Sequence, residues 1–174
     1  MNERRISHVQ LRPWDAPSLL HRSTELRDDD TLQLLWRSPQ ARLLRVDAAS
    51  QFALNPFGMP AAGELDETIA FLGTVHGGPW FAQRVERIPG GETIRDASLT
   101  DTQYQLASAA LAILNWGESA LFCDRCAGRL RRIRGGFAAV CTICGREHFP
   151  RTDPAVIVAV LDPDDRLFLA HQGT

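Results

Sequence analysis

Cys123-Asp-Arg-Cys126 and Cys141-Thr-Ile-Cys144 decide the interpretation of this sequence, because they contain all four cysteines of the 174-residue chain. Their spacing is C-x2-C-x14-C-x2-C, close to the interval of about 15–20 residues that separates the cysteine pairs of many zinc sites. Thiolates are soft anionic ligands, and four of them complete a tetrahedral shell around zinc. The pattern predicts a zinc site with Cys123, Cys126, Cys141 and Cys144 as its ligands.

The residues between the two pairs indicate how the pairs meet. Arg129–Arg134 and Phe137–Val140 have the composition of strands and flank Gly135-Gly136, so a hairpin brings the second pair beside the first. Gly128 and Gly145 follow their pairs closely, where a tight turn favours a residue that tolerates positive φ. Together these features predict a zinc ribbon over residues 119–150.

Two disulfide bonds are the alternative interpretation of the four cysteines. It is disfavoured because all of them lie within 22 residues and because cytosolic thiols are kept reduced. His148, four residues after Cys144, is another candidate ligand, but with four thiolates available we expect it to pack or to form hydrogen bonds. Four protein ligands leave no position for water, so the metal is predicted to be structural.

The residues before the ribbon, 1–118, predict a small α+β domain. Leu32–Arg37 and Arg42–Val46 are rich in leucine and flank the turn Ser38-Pro39-Gln40, which indicates two strands. Ile69–Val75 and Trp80–Val85 flank His76-Gly77-Gly78-Pro79, which indicates a hairpin.

One amphipathic helix is predicted between this hairpin and the ribbon. It opens at Thr100-Asp101, carries apolar residues such as Leu111 and Leu114 at helical spacing, and is expected to stop at Gly117. We expect it to pack across the preceding strands.

A third segment, residues 151–174, follows the ribbon. Ala155–Leu161 is a continuous apolar run typical of a buried strand. Asp162-Pro-Asp-Asp165 predicts a turn, and Arg166–Ala170 predicts the returning strand of a hairpin.

Charge and composition exclude several classes of function. All 19 basic residues are arginines, which excludes mechanisms that need a phosphate-binding or Schiff-base lysine. The longest apolar run is far shorter than the ~20 residues of a membrane-spanning helix, and the amino terminus lacks a secretory signal, so we expect a cytoplasmic protein. Seven arginines in and beside the ribbon raise the alternative of nucleic-acid binding, against which stands the scarcity of aromatic residues nearby. They are Arg125, Arg129, Arg131, Arg132, Arg134, Arg146 and Arg151.

The carboxyl-terminal third resembles NADH pyrophosphatases of the Nudix superfamily. The resemblance rests on the four-cysteine ribbon, on Phe149-Pro150, and on a hairpin whose return strand ends in Leu169-Ala-His171. It implies cleavage of NAD(H) to nicotinamide mononucleotide and AMP, in some members also of NAD caps on RNA, with Mg²⁺ or Mn²⁺ as catalytic metal, and it implies a homodimer. It also implies that Phe149 and Ile157 help to line the dinucleotide pocket.

The chain departs from that family in lacking its catalytic motif, G-x5-E-x7-R-E-U-x-E-E-x-G-U (U, aliphatic). No glutamate follows Glu147, and the partial match from Gly58 to Glu64 does not continue. We therefore expect an amino-terminal domain (1–118), a zinc ribbon (119–150) and the truncated start of a Nudix domain (151–174), without hydrolytic activity of their own. The alternative is a free-standing zinc-ribbon module that binds RNA or a protein partner.

Overall fold

A computed structural model describes residues 18–151 and 159–169 and has the predicted mixed α+β composition. Within those residues a four-stranded sheet is followed by the three-stranded sheet of the ribbon. The helices are a 3-10 turn at Thr24–Arg27, α1 at Asp29–Trp36, α2 at Asp101–Ser119 and a second 3-10 turn at Arg134–Gly136. The strands are β1 Arg42–Asp47, β2 Met59–Pro60, β3 Ile69–Val75, β4 Gly78–Val85, β5 Leu130–Ile133, β6 Ala138–Cys141 and β7 Glu147–His148.

The larger sheet has the order β2-β1-β4-β3, with β1 parallel to β4 and the other neighbours antiparallel. The predicted hairpin of β3 and β4 is confirmed. Its turn is His76-Gly77, both with positive φ (48° and 82°), as the two-residue turns that match strand twist require. The predicted strand Arg42–Val46 is confirmed as β1 and lies next to β4.

The prediction of a strand at Leu32–Arg37 was wrong, because these residues belong to α1. Asp28 precedes the helix, and its carboxylate accepts a hydrogen bond from the Thr31 backbone N–H, which caps the helix start. Leu32 and Trp36 then fall on one helical face and are both buried. A segment of eight residues is too short for its leucine spacing to distinguish a helix from a strand. The aspartates at 28–30 are typical of a helix start and indicate the helix.

Both faces of the larger sheet are covered by a helix. Alternate residues of β1 and β3, including Leu44 and Leu72, pack towards α2, whereas Leu43, Phe71 and Phe81 pack with Leu32 and Trp36. This follows from the period of two along a strand.

The predicted helix is confirmed as α2, and its start is a capping box. The Thr100 hydroxyl accepts from the Gln103 backbone N–H while the Gln103 side chain accepts from that of Thr100. Gly117 does not end the helix, which continues to Ser119. Gly117 leaves room for Arg132 instead, because a Cβ there would displace the Arg132 guanidinium from its position against the helix.

The tip of the ribbon hairpin packs against the described residues that precede the ribbon, 18–118, which we call the first domain. A Cβ on Gly135 (φ 64°) would lie 2.8 Å from the Phe71 Cβ, so only glycine fits. The neighbouring Phe137 contacts both buried clusters, and the Arg27 guanidinium lies 3.8 Å from the Phe137 ring centroid. The ribbon is thus seated on the sheet at β3 and between the two helices.

The predicted carboxyl-terminal turn is confirmed within the described residues. Leu161 and Leu167 form an antiparallel bridge, and the Asp162 carboxylate accepts from the backbone N–H groups of Asp164 and Arg166. Residues 152–158, which include most of the predicted strand, and 170–174 lie outside the described residues. None of the described helices combines the length and apolar character needed to cross a bilayer.

Candidate metal centre

Two turns of matching geometry present the four cysteines. In the first, the Cys123 N–H donates to the Gly128 carbonyl and the Ala127 N–H to the Cys123 carbonyl, at 2.8 and 2.9 Å. In the second, Cys141 N–H donates to the Arg146 carbonyl and Gly145 N–H to the Cys141 carbonyl, at 2.9 and 3.0 Å. The same bonds at the same offsets place each pair of thiols on the inner side of its turn.

The glycine prediction for these turns was right for Gly145 and wrong in its reason for Gly128. Gly145 has φ 71°, and the equivalent position in the first turn is Ala127, with φ 55°. Gly128 is required by proximity, because a Cβ there would lie 2.7 Å from the Cys141 Sγ. The residue that separates the two turns must therefore have no side chain.

The four sulfurs form one compact cluster. Their Sγ atoms all lie within 4.8 Å of one another, with 3.7 Å between Cys123 and Cys144 and 3.4 Å between Cys126 and Cys141. These separations are far longer than the S–S bond of about 2.05 Å in a disulfide. Four sulfurs at about 2.3 Å from a tetrahedral zinc would lie roughly 3.8 Å apart, so the cluster fits a zinc ion with little adjustment.

Backbone donors favour the charged form of one thiol. The N–H groups of Cys144 and Ile143 point at the Cys141 Sγ, at 3.5 and 3.4 Å. The Cys144 N–H is the main reason why the pKa of Cys141 falls to about 6, against the opposing effect of burial.

The opposite thiol is shifted the other way. For Cys126 the Gly128 N–H lowers the pKa, but contacts with the neighbouring thiols, first Cys141 and then Cys144, raise it to about 12. The thiols of this pair therefore compete for charge, and a divalent cation removes that conflict.

His148 lies beside the four-thiol cluster. The His148 Nδ1 is 3.9 Å from the Asp124 carboxylate, which also faces Arg146 at 3.4 Å. Cys123, Asp124 and His148 form a second group of possible ligand atoms, but it shares Cys123 with the four-thiol cluster. Four thiolates complete a tetrahedral shell without His148, and its exclusion from the ligands stays a prediction.

The arginines of the ribbon do not form one surface. Arg132 lies against Gly117 of α2, Arg134 pairs with Glu147 at 2.9 Å, and Arg146 faces Asp124. Arg125, Arg129 and Arg131 are exposed. Of the two arginines in β5, Arg131 is exposed and Arg132 packs against α2, because alternate residues of a strand point to opposite faces.

Phe149 and Ile157 are the two residues that the family resemblance suggests for a substrate pocket. Phe149 follows β7 and is 55 % exposed, and Ile157 lies outside the described residues. A cleft of about 280 Å³ lies elsewhere, between α1, the residues before β3 and the ribbon tip. Its rim mixes acidic and basic side chains, among them Asp66, Glu67 and Arg131.

Comparison with known sequences gives two results. Residues 118–149 match the family described as the NADH pyrophosphatase zinc ribbon domain. Over 152 residues the chain is 36 % identical to proteins described as "NAD-capped RNA hydrolase NudC" from Mycobacterium tuberculosis (strain ATCC 25618 / H37Rv) and Mycobacterium bovis (strain ATCC BAA-935 / AF2122/97). The similarity covers 78 % of this chain and 49 % of each relative. The chain thus spans about half the length of the relatives it matches.

Proposed function

Because the chain is similar to these NAD-capped RNA hydrolases and has the NADH pyrophosphatase zinc ribbon, we propose that it is the amino-terminal and ribbon portion of a Nudix NAD(H) diphosphatase. The complete enzyme would hydrolyse NADH to nicotinamide mononucleotide and AMP and would also act on NAD-capped RNA. The observation that carries this proposal is the four-thiol cluster within the residues that match the family.

The role that we propose for residues 119–150 is structural. Cys123, Cys126, Cys141 and Cys144 would hold one Zn²⁺, and a closed thiolate shell has no position for substrate or water. The metal would secure the cysteine end of the ribbon while its tip is held by Phe71 and Phe137. The ribbon would then fix the first domain relative to the residues after Pro150.

The hydrolysis itself would depend on groups outside these residues. A Nudix motif supplies glutamates that hold Mg²⁺ or Mn²⁺, which neutralises the diphosphate and activates water, and the 174 residues contain no match to it. We propose that residues 151–174 begin the Nudix domain, with Phe149 and Ile157 in its dinucleotide pocket. The exposure of Phe149, Phe168 and Leu169, at 55 to 80 %, is compatible with apolar side chains that a further domain covers.

Cellular context is proposed on the same resemblance. We propose a cytoplasmic homodimer that acts on NAD(H) and NAD-capped RNA and has no membrane partner.

Hydrolysis by the complete product of the reading frame tests the proposal. With Mg²⁺ or Mn²⁺ present, that protein should convert NADH to nicotinamide mononucleotide and AMP, whereas the 174-residue chain assayed beside it should not. Turnover by the 174-residue chain alone would contradict our assignment of the chemistry to other residues. A complete product without NADH hydrolysis would contradict the diphosphatase and favour the alternative of a free-standing ribbon module.

A further inference from the structure

The outer side of the ribbon sheet carries an aromatic residue and two arginines close together. Phe122 and Arg129 are opposed in an antiparallel bridge, so their side chains share a face. Arg131, in β5, follows Arg129 by two residues of extended chain and therefore points the same way. We call these three residues the outer ribbon face.

The other side of the same sheet is used for packing. Arg132, Ala139 and His148 are cross-strand neighbours, and Arg132 lies against Gly117 of α2. Ala139 is fully buried and His148 is largely covered. The first domain therefore covers the inner side of the ribbon and leaves the outer ribbon face exposed.

Neither arginine of the outer ribbon face forms an ion pair with a described acidic residue, although Arg131 borders the cleft whose rim also carries Asp66 and Glu67. Asp124 faces Arg146, and Glu147 pairs with Arg134. Arg129 and Arg131 have no ion pair or side-chain hydrogen bond with another described residue. Residues 119–151 contain seven arginines against two acidic residues, and zinc with four thiolates adds only two negative charges, which leaves a net charge of about +3.

The aromatic ring is accessible and already has a cation above it. Phe122 is 58 % exposed, and the Arg129 guanidinium lies 6.0 Å from its ring centroid. Exposed aromatic rings stack on nucleic-acid bases, and neighbouring arginines bind the phosphates that link those bases. Arg129 and Arg131 are separated by two residues of a strand, about 7 Å, which allows them to contact neighbouring phosphates of an extended strand.

We propose that the outer ribbon face binds the single-stranded body of an RNA, with one base on Phe122 and adjacent phosphates on Arg129 and Arg131. The inference rests on the proposed function in one respect, because the RNA body is the part of an NAD-capped RNA that the proposed diphosphatase site does not contact. Duplex RNA is disfavoured, because its bases are already stacked and cannot reach the Phe122 ring.

Fluorescence anisotropy with the zinc-loaded chain and a labelled single-stranded RNA of about 15 nucleotides tests this surface. We expect salt-dependent binding that is equal for RNA with and without a 5′ NAD cap. The double variant Arg129→Gln/Arg131→Gln should bind at least about ten-fold more weakly, and the slope of log K against log salt should become shallower by about 1.4. Phe122→Leu should weaken binding about five-fold or more.

Matched controls separate this surface from general charge and from loss of fold. Arg87→Gln removes an exposed arginine of the first domain and should bind RNA as the unaltered chain does. Zinc content should be unchanged in every variant, because none of the altered side chains belongs to the thiol cluster.

Three results would overturn the inference. The first is the absence of RNA binding by the unaltered chain at low salt, which would favour a protein partner for this face. The second is equal RNA binding by the double variant and the unaltered chain. The third is RNA binding that requires the NAD cap. Each leaves NADH hydrolysis by the complete enzyme unaffected, since NADH has no RNA body. The failure of this inference is thereby distinguishable from failure of the proposed function.

Discussion

The first domain and the ribbon are stabilised by different means, although they are continuous in sequence. The first domain buries large side chains such as Phe52, Phe71 and Phe81 on both faces of its sheet. The buried positions of the ribbon after Gly128 are small, mainly Ala138, Ala139 and Cys141. Burial contributes about 25 cal/mol per Å² of apolar surface. A buried alanine therefore stabilises the fold much less than a buried phenylalanine, because its side chain has far less apolar surface.

The comparison indicates that the ribbon depends on two external attachments. A metal ion would hold its cysteine end, and the first domain holds its tip at Gly135 and Phe137. The first domain has a core of its own, so we expect its stability to depend less on these two attachments than that of the ribbon does. The predictions below test this difference, in decreasing order of expected effect.

Removing one thiol should have the largest effect. Structural zinc contributes apparent binding free energies of about 10–16 kcal/mol in small zinc modules. Cys141→Ser should therefore abolish stoichiometric zinc binding and unfold the ribbon while the first domain remains folded. Elemental analysis and amide hydrogen exchange of residues 120–149 measure the two outcomes.

Ile143→Ser is the matched control, since Ile143 is in the same turn and is 74 % exposed. It should keep its zinc. Retention of one tightly bound zinc by Cys141→Ser would contradict the four-thiolate site.

Truncating the core of the first domain should destabilise the chain by about 3–5 kcal/mol. Phe81 is fully buried, and its ring centroid is 4.9 Å from that of Trp36 and 5.3 Å from that of Phe71. Urea unfolding of Phe81→Ala in the presence of zinc should show this loss. Leu34→Ala, on the exposed side of α1, should change the free energy of unfolding by less than about 0.5 kcal/mol.

The contact at the ribbon tip should be intermediate in strength. Gly135→Ala places a Cβ against Phe71 and strains a positive φ, and overpacking of this kind costs about 1–3 kcal/mol. Gly90→Ala has a similar φ of 68° with no atom within 4 Å of the added Cβ, so it carries the backbone strain alone. Equal destabilisation of the two variants would show that the tip does not press on the sheet.

Removing the helix cap should be the smallest of these changes. Thr100→Ala deletes the hydroxyl that accepts from the Gln103 N–H and should cost about 1 kcal/mol of unfolding free energy. Thr100→Ser keeps that oxygen and should restore most of the loss in the same thermal melts. A serine variant as unstable as the alanine variant would contradict the capping role.

The sequence was most informative where a residue type has a single structural use. The cysteine spacing predicted the ribbon, and the glycine- and proline-containing segment His76-Gly77-Gly78-Pro79 predicted the hairpin of β3 and β4. It was least informative where one composition suits two structures, as with Leu32–Arg37, which form α1 rather than a strand. The space requirement of Gly128 arises from Cys141, which is distant in sequence, and no local pattern contains it.

Zinc content of the purified chain is the decisive measurement for a ribbon that is held by four thiolates. Prepared without chelator, the chain should contain one zinc per molecule, and its four thiols should resist alkylation until the metal is removed. The same preparation treated with a strong chelator should lose protection in residues 120–149 and keep it in the sheet of the first domain. A chain that is free of zinc, reacts at all four cysteines and still has a protected ribbon would contradict the account.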